Sequence, residues 1–214
     1  MNVELILVAV DDDLDAAWRA WCADLPGVAV HRGSILEVDT DAVVSPANSF
    51  GFMDGGIDAL YTDHFGTQVQ RSLQAQIAED FSGELLVGQT AVVDTGDTAI
   101  PFLVAAPTMR VPMVLGAETV NPYLAARAAL RLVSRGVFTR GRLAGQPVDE
   151  YLHRLAMPGL GTGVGQVPAE VCARQVRQAW LDVRDGLPFP TDWWESSERH
   201  QRLYGDTPRD LQWG

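Results

Sequence analysis

The stretch Ser45-Pro46-Ala47-Asn48-Ser49-Phe50-Gly51-Phe52-Met53-Asp54-Gly55-Gly56-Ile57-Asp58 gathers residue types that handle polar ligands. Its glycines lack a Cβ, so backbone N–H groups stay open and a ligand can come close. The Asn48 amide offers one acceptor and two donors in a fixed plane, which suits a sugar diol. Asp54 and Asp58 stand four residues apart around the start of an expected helix. A carboxylate there either caps the helix or serves in acid–base work. The surrounding NSFGFMDGG string is more than a cap requires and favours chemistry.

A second loop, Gly159-Leu160-Gly161-Thr162-Gly163-Val164-Gly165, sets four glycines in seven residues ahead of another expected helix. Such a run forms a nest of N–H groups beside a positive helix terminus, which can hold a diphosphate. This matters because all 16 basic residues are arginine and none is lysine. A Schiff base, a catalytic lysine and a lysine-bearing P-loop are therefore excluded.

The elements that position these loops follow from periodicity. Short apolar runs at 3–10, 28–31, 42–45, 91–93, 102–106 and 152–157 read as strands. Helical spacing appears from Leu14 to Leu25, with interruptions from Ile57 to Asp80, from Pro122 to Val133, and from Ala169 to Leu181. Strands alternating with helices predict an α/β fold with helices on both faces of the sheet. Each glycine loop follows a strand and precedes a helix, the place where open α/β sheets bind ligands. Residues 188–214 differ in character and read as a C-terminal extension packing on a domain of residues 1–187, with Trp193 and Trp194 expected to be buried.

Length and charge bound the remaining choices. The 214 residues are 47% hydrophobic, enough for one cored domain. A net charge of −12 argues against general nucleic-acid or anionic-membrane binding. No signal peptide or apolar run of membrane-spanning length is present, so a cytoplasmic protein is expected. Cys22 and Cys172 are read as reduced helix cysteines. Histidines 31, 64, 153 and 200 lack ligand spacing, so no metal site is expected, although His64 is close enough in sequence to support Asp58. Arg127, Arg131 and Arg135 read as a solvated helix face.

The two loops together resemble those of the macrodomain family, whose members bind ADP-ribose. Its first loop reads roughly D-x-I-V-N-A-A-N, then a glycine cluster, then V-D-G-A-I. Here Asp41-Ala42-Val43-Val44-Ser45-Pro46-Ala47-Asn48 precedes Gly55-Gly56-Ile57-Asp58-Ala59-Leu60. The second family loop, roughly P-A-I-S-T-G-V-Y-G-F-P, is matched by Pro158 to Pro168. The resemblance covers about Val3 to Leu181. It implies a three-layer α/β/α macrodomain with a mixed, mostly parallel sheet of about six strands. The Asn48-to-Asp58 spacing is similar to MacroD-type hydrolases, and the full string looks like a bacterial, phage-associated branch. The resemblance puts ribose orientation on Asn48 and water positioning or activation on Asp58. It puts the diphosphate and distal ribose on the N–H groups of Gly161, Thr162, Gly163, Val164 and Gly165. Gly55 and Gly56 would let the first loop close over the ribose.

Three positions depart from the family pattern. The adenine-reading Asp falls on Ser34, beside Ile35, where a hydroxyl can still touch the adenine amine. The aromatic residue over the distal ribose falls on Gly165, with Phe50 or Phe52 as replacement. Met53 and Asp54 stand where glycines are usual, and Asp54 either shares the acid–base work, narrows the substrate range or caps the following turn. The reading implied is an ADP-ribosyl hydrolase acting on protein, nucleic acid or a small metabolite, with no cofactor and a monomer expected. A non-catalytic ADP-ribose or nucleotide reader and a phage-derived structural protein are the alternatives.

Overall fold

The computed structural model describes residues 2–212. Six strands form one sheet: β1 (Glu4–Ala9), β2 (Val28–Arg32), β3 (Ala42–Ser45), β4 (Ala91–Asp94), β5 (Phe102–Ala105) and β6 (Arg154–Met157). Their order is β2-β1-β6-β3-β5-β4, parallel throughout except that β4 runs antiparallel to β5 at one edge. The expected mixed, mostly parallel sheet is present.

Strand β1 shows why the sheet is covered on both faces. Leu5, Leu7 and Ala9 enter one core, while Ile6 and Val8 enter the other. A strand buried on both sides loses the alternation of polar residues, which is why the sequence shows a continuous apolar run. On the first face pack α1 (Asp12–Cys22), α4 (Asn121–Arg135) and α5 (Ala169–Leu181). On the second pack α2 (Gly56–Phe65) and α3 (Gln68–Asp80). These are the three layers.

The helix boundaries follow local chemistry. Asp11 accepts a hydrogen bond from the Leu14 amide at 2.8 Å and so caps α1. Trp18 on α1 is fully buried, and its indole N–H donates to the Val8 carbonyl at 3.4 Å, fixing the helix over β1. Periodicity from Ile57 to Asp80 is divided at Gly66, whose φ of 89° lies in the left-handed region that ends α2. Cys22 and Cys172 are both buried and free, and burial pushes both thiols up to about 12.

The C-terminal stretch contains an element the sequence did not suggest, α6 (Trp193–Gln201), capped by Asp192 through the Glu195 amide at 2.8 Å. It docks through Ser197, Gln201 and the following Leu203, and Arg174 of α5 holds Asp206 at 2.6 Å. The expectation that Trp193 and Trp194 are buried is overturned: both are largely exposed. The helix is anchored through its later residues, so its first turn leaves both indoles facing water. Trp213 lies outside the described residues.

Register brings the carboxyl ends of the parallel strands together. Ser45 pairs with Ala105, Ala9 with Arg32, and Leu7 with Met157. The chain therefore leaves β1, β3, β5 and β6 on the same side of the sheet. The first of the two glycine loops is held there by packing as well as by its own turns. Gly51 has a φ of 67°, and a Cβ at that position would meet the Leu73 and Ile77 side chains of α3. Gly51→Ala is therefore expected to lower stability by about 1–2 kcal/mol, from left-handed strain plus crowding. Urea unfolding checks this: the midpoint should fall with an unchanged m-value.

Candidate functional site

The ends of β1, β3, β5 and β6 enclose a cleft of about 710 Å³. That is within the usual size range of small-molecule sites, about 300–1,000 Å³. Asn48, Phe52, Asp54, Gly55, Gly56 and Asp58 line it from the first glycine loop and α2. Gly161, Thr162, Gly163, Val164 and Gly165 line it from the second. Ser34 and Ile35 complete it beyond β2. Asn48 and Gly165, far apart in the sequence, thus share one cavity, because parallel strands release their loops on one side.

Asp58 is the most perturbed carboxyl in the cleft. It sits in the first turn of α2 with only 5% of its surface exposed. The Ser45 hydroxyl donates to its Oδ1 at 2.5 Å. Burial disfavours the charged form and pushes the carboxyl up to about 7; the Ser45 hydrogen bond opposes that shift only in part. Tyr61, one turn on, is fully buried and donates to the Val44 carbonyl at 3.0 Å, so it fastens α2 to β3 behind the carboxylate. A carboxyl that titrates near neutral pH can take or give a proton at working pH.

Asn48 is engaged within its own loop. Its Oδ1 accepts from the amides of Phe50 at 3.1 Å and Phe52 at 3.3 Å, and its Nδ2 donates to the Phe52 carbonyl at 2.9 Å. The side chain therefore shapes the turn that presents Phe52 to the cleft, leaving one N–H of the amide for a ligand. Asp54 is exposed at the cleft wall. The capping alternative for Asp54 is overturned: Gly55 is the N-cap of α2, and no side chain caps that helix. Its backbone does the work, since Gly56 at φ 58° turns the chain into the helix. His64 faces away, with Nε2 3.5 Å from Asp97 in the β4–β5 turn and its ring edge-on to Phe65, so it does not support Asp58.

The second loop is folded on itself. The Val167 amide donates to the Gly161 carbonyl at 3.1 Å, and Gln166 donates to Gly163 at 3.0 Å. Gly161 has a φ of 72°. A Cβ on Gly165 would run into the Gly161 carbonyl, so both positions exclude side chains for steric reasons. Among the described residues, the amides from Gly161 to Gly165 have no protein acceptor. A row of open N–H donors can hold an anion. Ser34 uses its hydroxyl oxygen to accept from the Leu36 amide at 3.3 Å, capping a short helical turn over Ile35–Glu37.

Sequence reasoning missed two walls. Val10, Asp11, Asp13 and Leu14 line the cleft from the β1–α1 junction, and Thr108, Met109 and Pro112 line it from the segment after β5. No motif marked them; the signal available was their place just after apolar strands. Asn121 braces the second of these walls by donating to the Thr108 carbonyl at 2.8 Å. No group of three His, Cys, Asp or Glu residues arranged to hold a metal occurs among the described residues.

The family model described as Macro domain matches residues 44–176. An uncharacterized protein of Aquifex aeolicus is 33% identical over 147 residues, covering 69% of this chain and 76% of that protein. A Macro domain-containing protein of Cupriavidus necator is 27% identical over 154 residues, covering 70% and 80%. Among solved structures, the macrodomain of Mycobacterium tuberculosis DarG superposes with a TM-score of 0.52 at 22% identity, covering 74% of this chain and 90% of that one. The Oceanobacillus iheyensis macrodomain with ADP superposes with a TM-score of 0.55 at 20% identity, covering 72% and 75%. These structural likenesses speak for the fold.

The burial of Asp58 carries a stability consequence. Its folded carboxyl keeps its proton up to about pH 7, whereas the ordinary value is 3.8. Between those values the folded state binds more protons, so this group's contribution to stability falls as pH rises and levels off above about 7. Asp58→Asn removes the charge and keeps an oxygen for Ser45. It is expected to raise stability at pH 8 by roughly 2–4 kcal/mol and to change little below pH 4. Denaturant titrations at the two pH values measure the difference.

Proposed function

The chain belongs to the Macro domain family, and on that footing we propose that its cleft binds ADP-ribose and hydrolyses ADP-ribosyl linkages. The observation that carries the reading is the pairing, across one cleft, of the buried Asp58 carboxyl with the open amides of Gly161 to Gly165. ADP-ribose needs both halves: donors for a diphosphate and a group that acts at the distal ribose. A macrodomain structure with ADP and another with ADPR, both from Oceanobacillus iheyensis, support the choice of ligand.

The diphosphate lies against the second loop, whose N–H groups supply the neutralisation that a cleft without lysine or arginine cannot supply through side chains. The distal ribose then extends toward Asn48, Gly55 and Gly56. Asn48 uses its remaining amide hydrogen to orient a ribose hydroxyl. Phe52, held by Asn48 at the cleft wall, covers the sugar where Gly165 has no ring to offer.

Asp58 in its ionised form accepts a proton from a bound water. That water adds to C1 of the distal ribose as the bond from C1 to the substituent breaks. The products are free ADP-ribose and the substituent carrying a proton, so each turnover consumes one water. The transition state resembles an oxocarbenium ion, favoured by the nearby carboxylate. Helix α2 begins at Gly56, with Gly55 as its N-cap, so the open amides of its first turn lie at the ribose end of the cleft. We read residues 1–187 as the macrodomain and 188–214 as a C-terminal extension, and the SPANSFGFMDGGID string as the mark of a bacterial, phage-associated branch near the MacroD type.

A reader without turnover is the second reading. The engagement of the Asn48 side chain by its own loop favours it, because that residue then shapes the loop before it orients any substrate.

Asp58→Ala separates the two. Under the hydrolase reading it lowers turnover by about 10²–10⁴-fold, the usual worth of a positioned base. Calorimetric affinity for ADP-ribose should stay within a few-fold of the parent. For the parent, kcat/KM should rise about tenfold per pH unit below about 7 and level off above, because the ionised carboxylate is the active form. Equal turnover in Asp58→Ala and parent would remove the base assignment. Binding without turnover in the parent would establish the reader.

A further inference from the structure

Strand β4 ends the sheet on one side, and its outer edge is unpaired. The Thr95 amide donates to the Pro101 carbonyl at 3.0 Å, and Val93 lies opposite Leu103. That phase turns the N–H and C=O groups of Val92 and Asp94 away from β5. Among the described residues, no group of the chain bonds to them. Val92 is only 8% exposed, yet its main-chain donor and acceptor have no partner within the chain. Buried backbone groups are nearly always paired, and an open sheet edge is a template for another strand.

A cavity of about 290 Å³ borders this edge and shares no lining residue with the cleft. Val92 and Val93 both line it, although they belong to the cores on opposite faces of the sheet. The cavity therefore lies at the edge and not over either face. The segment 138–143 forms its outer wall. On the first face the Phe138 ring packs on Phe102 with centroids 5.2 Å apart. On the second face Gln76 of α3 donates to the Thr139 hydroxyl at 3.0 Å, and Arg140 pairs with Asp80 at 2.6 Å. This strap is tied down on both sides of β4 and stands off from its edge.

The cavity combines apolar walls with one uncommitted cation. Val92, Phe102, Phe138 and Leu143 supply the apolar lining. Arg142 is 74% exposed and meets Asp94 at 3.9 Å, too far for a hydrogen bond. Asp94 spends its other oxygen on the Gly96 amide at 2.8 Å. Arg142 therefore keeps its planar fork of donors for a second carboxylate. The open main-chain groups recur at two-residue spacing, which an extended polypeptide matches and a small polar molecule does not.

We infer that this edge is a second binding site, one that takes the C-terminal end of a partner polypeptide in extended form. The partner's main chain pairs with Val92 and Asp94 as a short seventh strand. An apolar side chain packs on Phe138 and Leu143, and the terminal carboxylate binds Arg142. The Gly141–Leu143 turn lines the Asp94 end of the cavity, so a chain that stops there brings its carboxylate to the guanidinium. The site is independent of the ADP-ribose reading of the cleft.

The test titrates the full chain with acetyl-Thr-Val-Ser-Leu bearing a free carboxylate. Its C-terminal amide and a form N-methylated at the Val and Ser nitrogens are the comparisons. Affinities come from calorimetry and the location from amide NMR. The free acid is expected to bind and to shift the resonances of Val92, Val93 and Asp94. The C-terminal amide should bind at least about fivefold more weakly, and the N-methylated peptide at least about tenfold. Arg142→Gln should bind the acid and the amide equally, with its spectrum away from residues 138–143 unchanged, which shows that it is folded. No binding of the free acid at millimolar concentration overturns the inference. So do equal affinities for the three peptides, or shifts confined to residues outside β4 and the strap.

Discussion

The Ser45–Asp58 hydrogen bond joins the last residue of β3 to the first turn of α2 at 2.5 Å. It places a carboxyl where water scarcely reaches. A buried acid without a cationic partner tends to keep its proton, and burial here pushes the group up to about 7. Everything near it holds that arrangement in place. Tyr61 fastens α2 to β3 from behind, and Thr62 donates to the Met53 carbonyl at 2.8 Å, closing the loop over the helix start. Met53 is itself fully buried, and its amide donates to Gln70 of α3 at 2.7 Å. The loop that looks open in sequence is pinned at both ends.

The second constraint is the absence of lysine. No arginine lines the cleft either, so an anion held there would meet backbone N–H groups and not side-chain cations. Backbone N–H groups become available only where neighbouring residues lack bulk and the chain turns tightly. Gly161 at φ 72° and the contact between Gly165 and the Gly161 carbonyl show how little room the loop allows. Gly159, Gly161 and Gly165 are there for geometry, since a Cβ at each would meet a neighbouring atom, and the open amides follow from it. Such preorganised dipoles need no rearrangement when a charged ligand arrives.

The two faces of the sheet divide the labour. On one face Trp18, Trp180 and the alanine-rich surfaces of α4 and α5 make a dense, uniform core. On the other, α2 and α3 press onto Val43, Leu103 and Ala156, with the site loop between helix and sheet. The carboxyl Asp58 belongs to this second face, and the glycine nest adjoins the first. The cleft lies where the two layers part, beyond the ends of the strands. Its aperture is therefore set by the packing of two independent cores.

Much of this was legible in the residues alone. Six apolar runs marked six strands, and in β1, β3, β5 and β6, parallel and buried on both faces, there is no alternation to misread. Glycine-rich stretches after β3 and β6 marked the loops, because close backbone approach requires glycine wherever it occurs. The sequence could not determine what each side chain touches. Whether Asp54 caps a helix depended on Gly55 taking that position, and the turning of His64 toward Asp97 depended on the β4–β5 turn lying beside α2. The exposure of Trp193 and Trp194 depended on which end of α6 docks. Val10, Asp13 and Pro112 joined the cleft only because register aligns β1 and β5 with β3 and β6. Local chemistry is written in short-range spacing. The perturbed carboxyl and the shared cleft arise from contacts between residues far apart in the chain, and only the packed sheet brings those together.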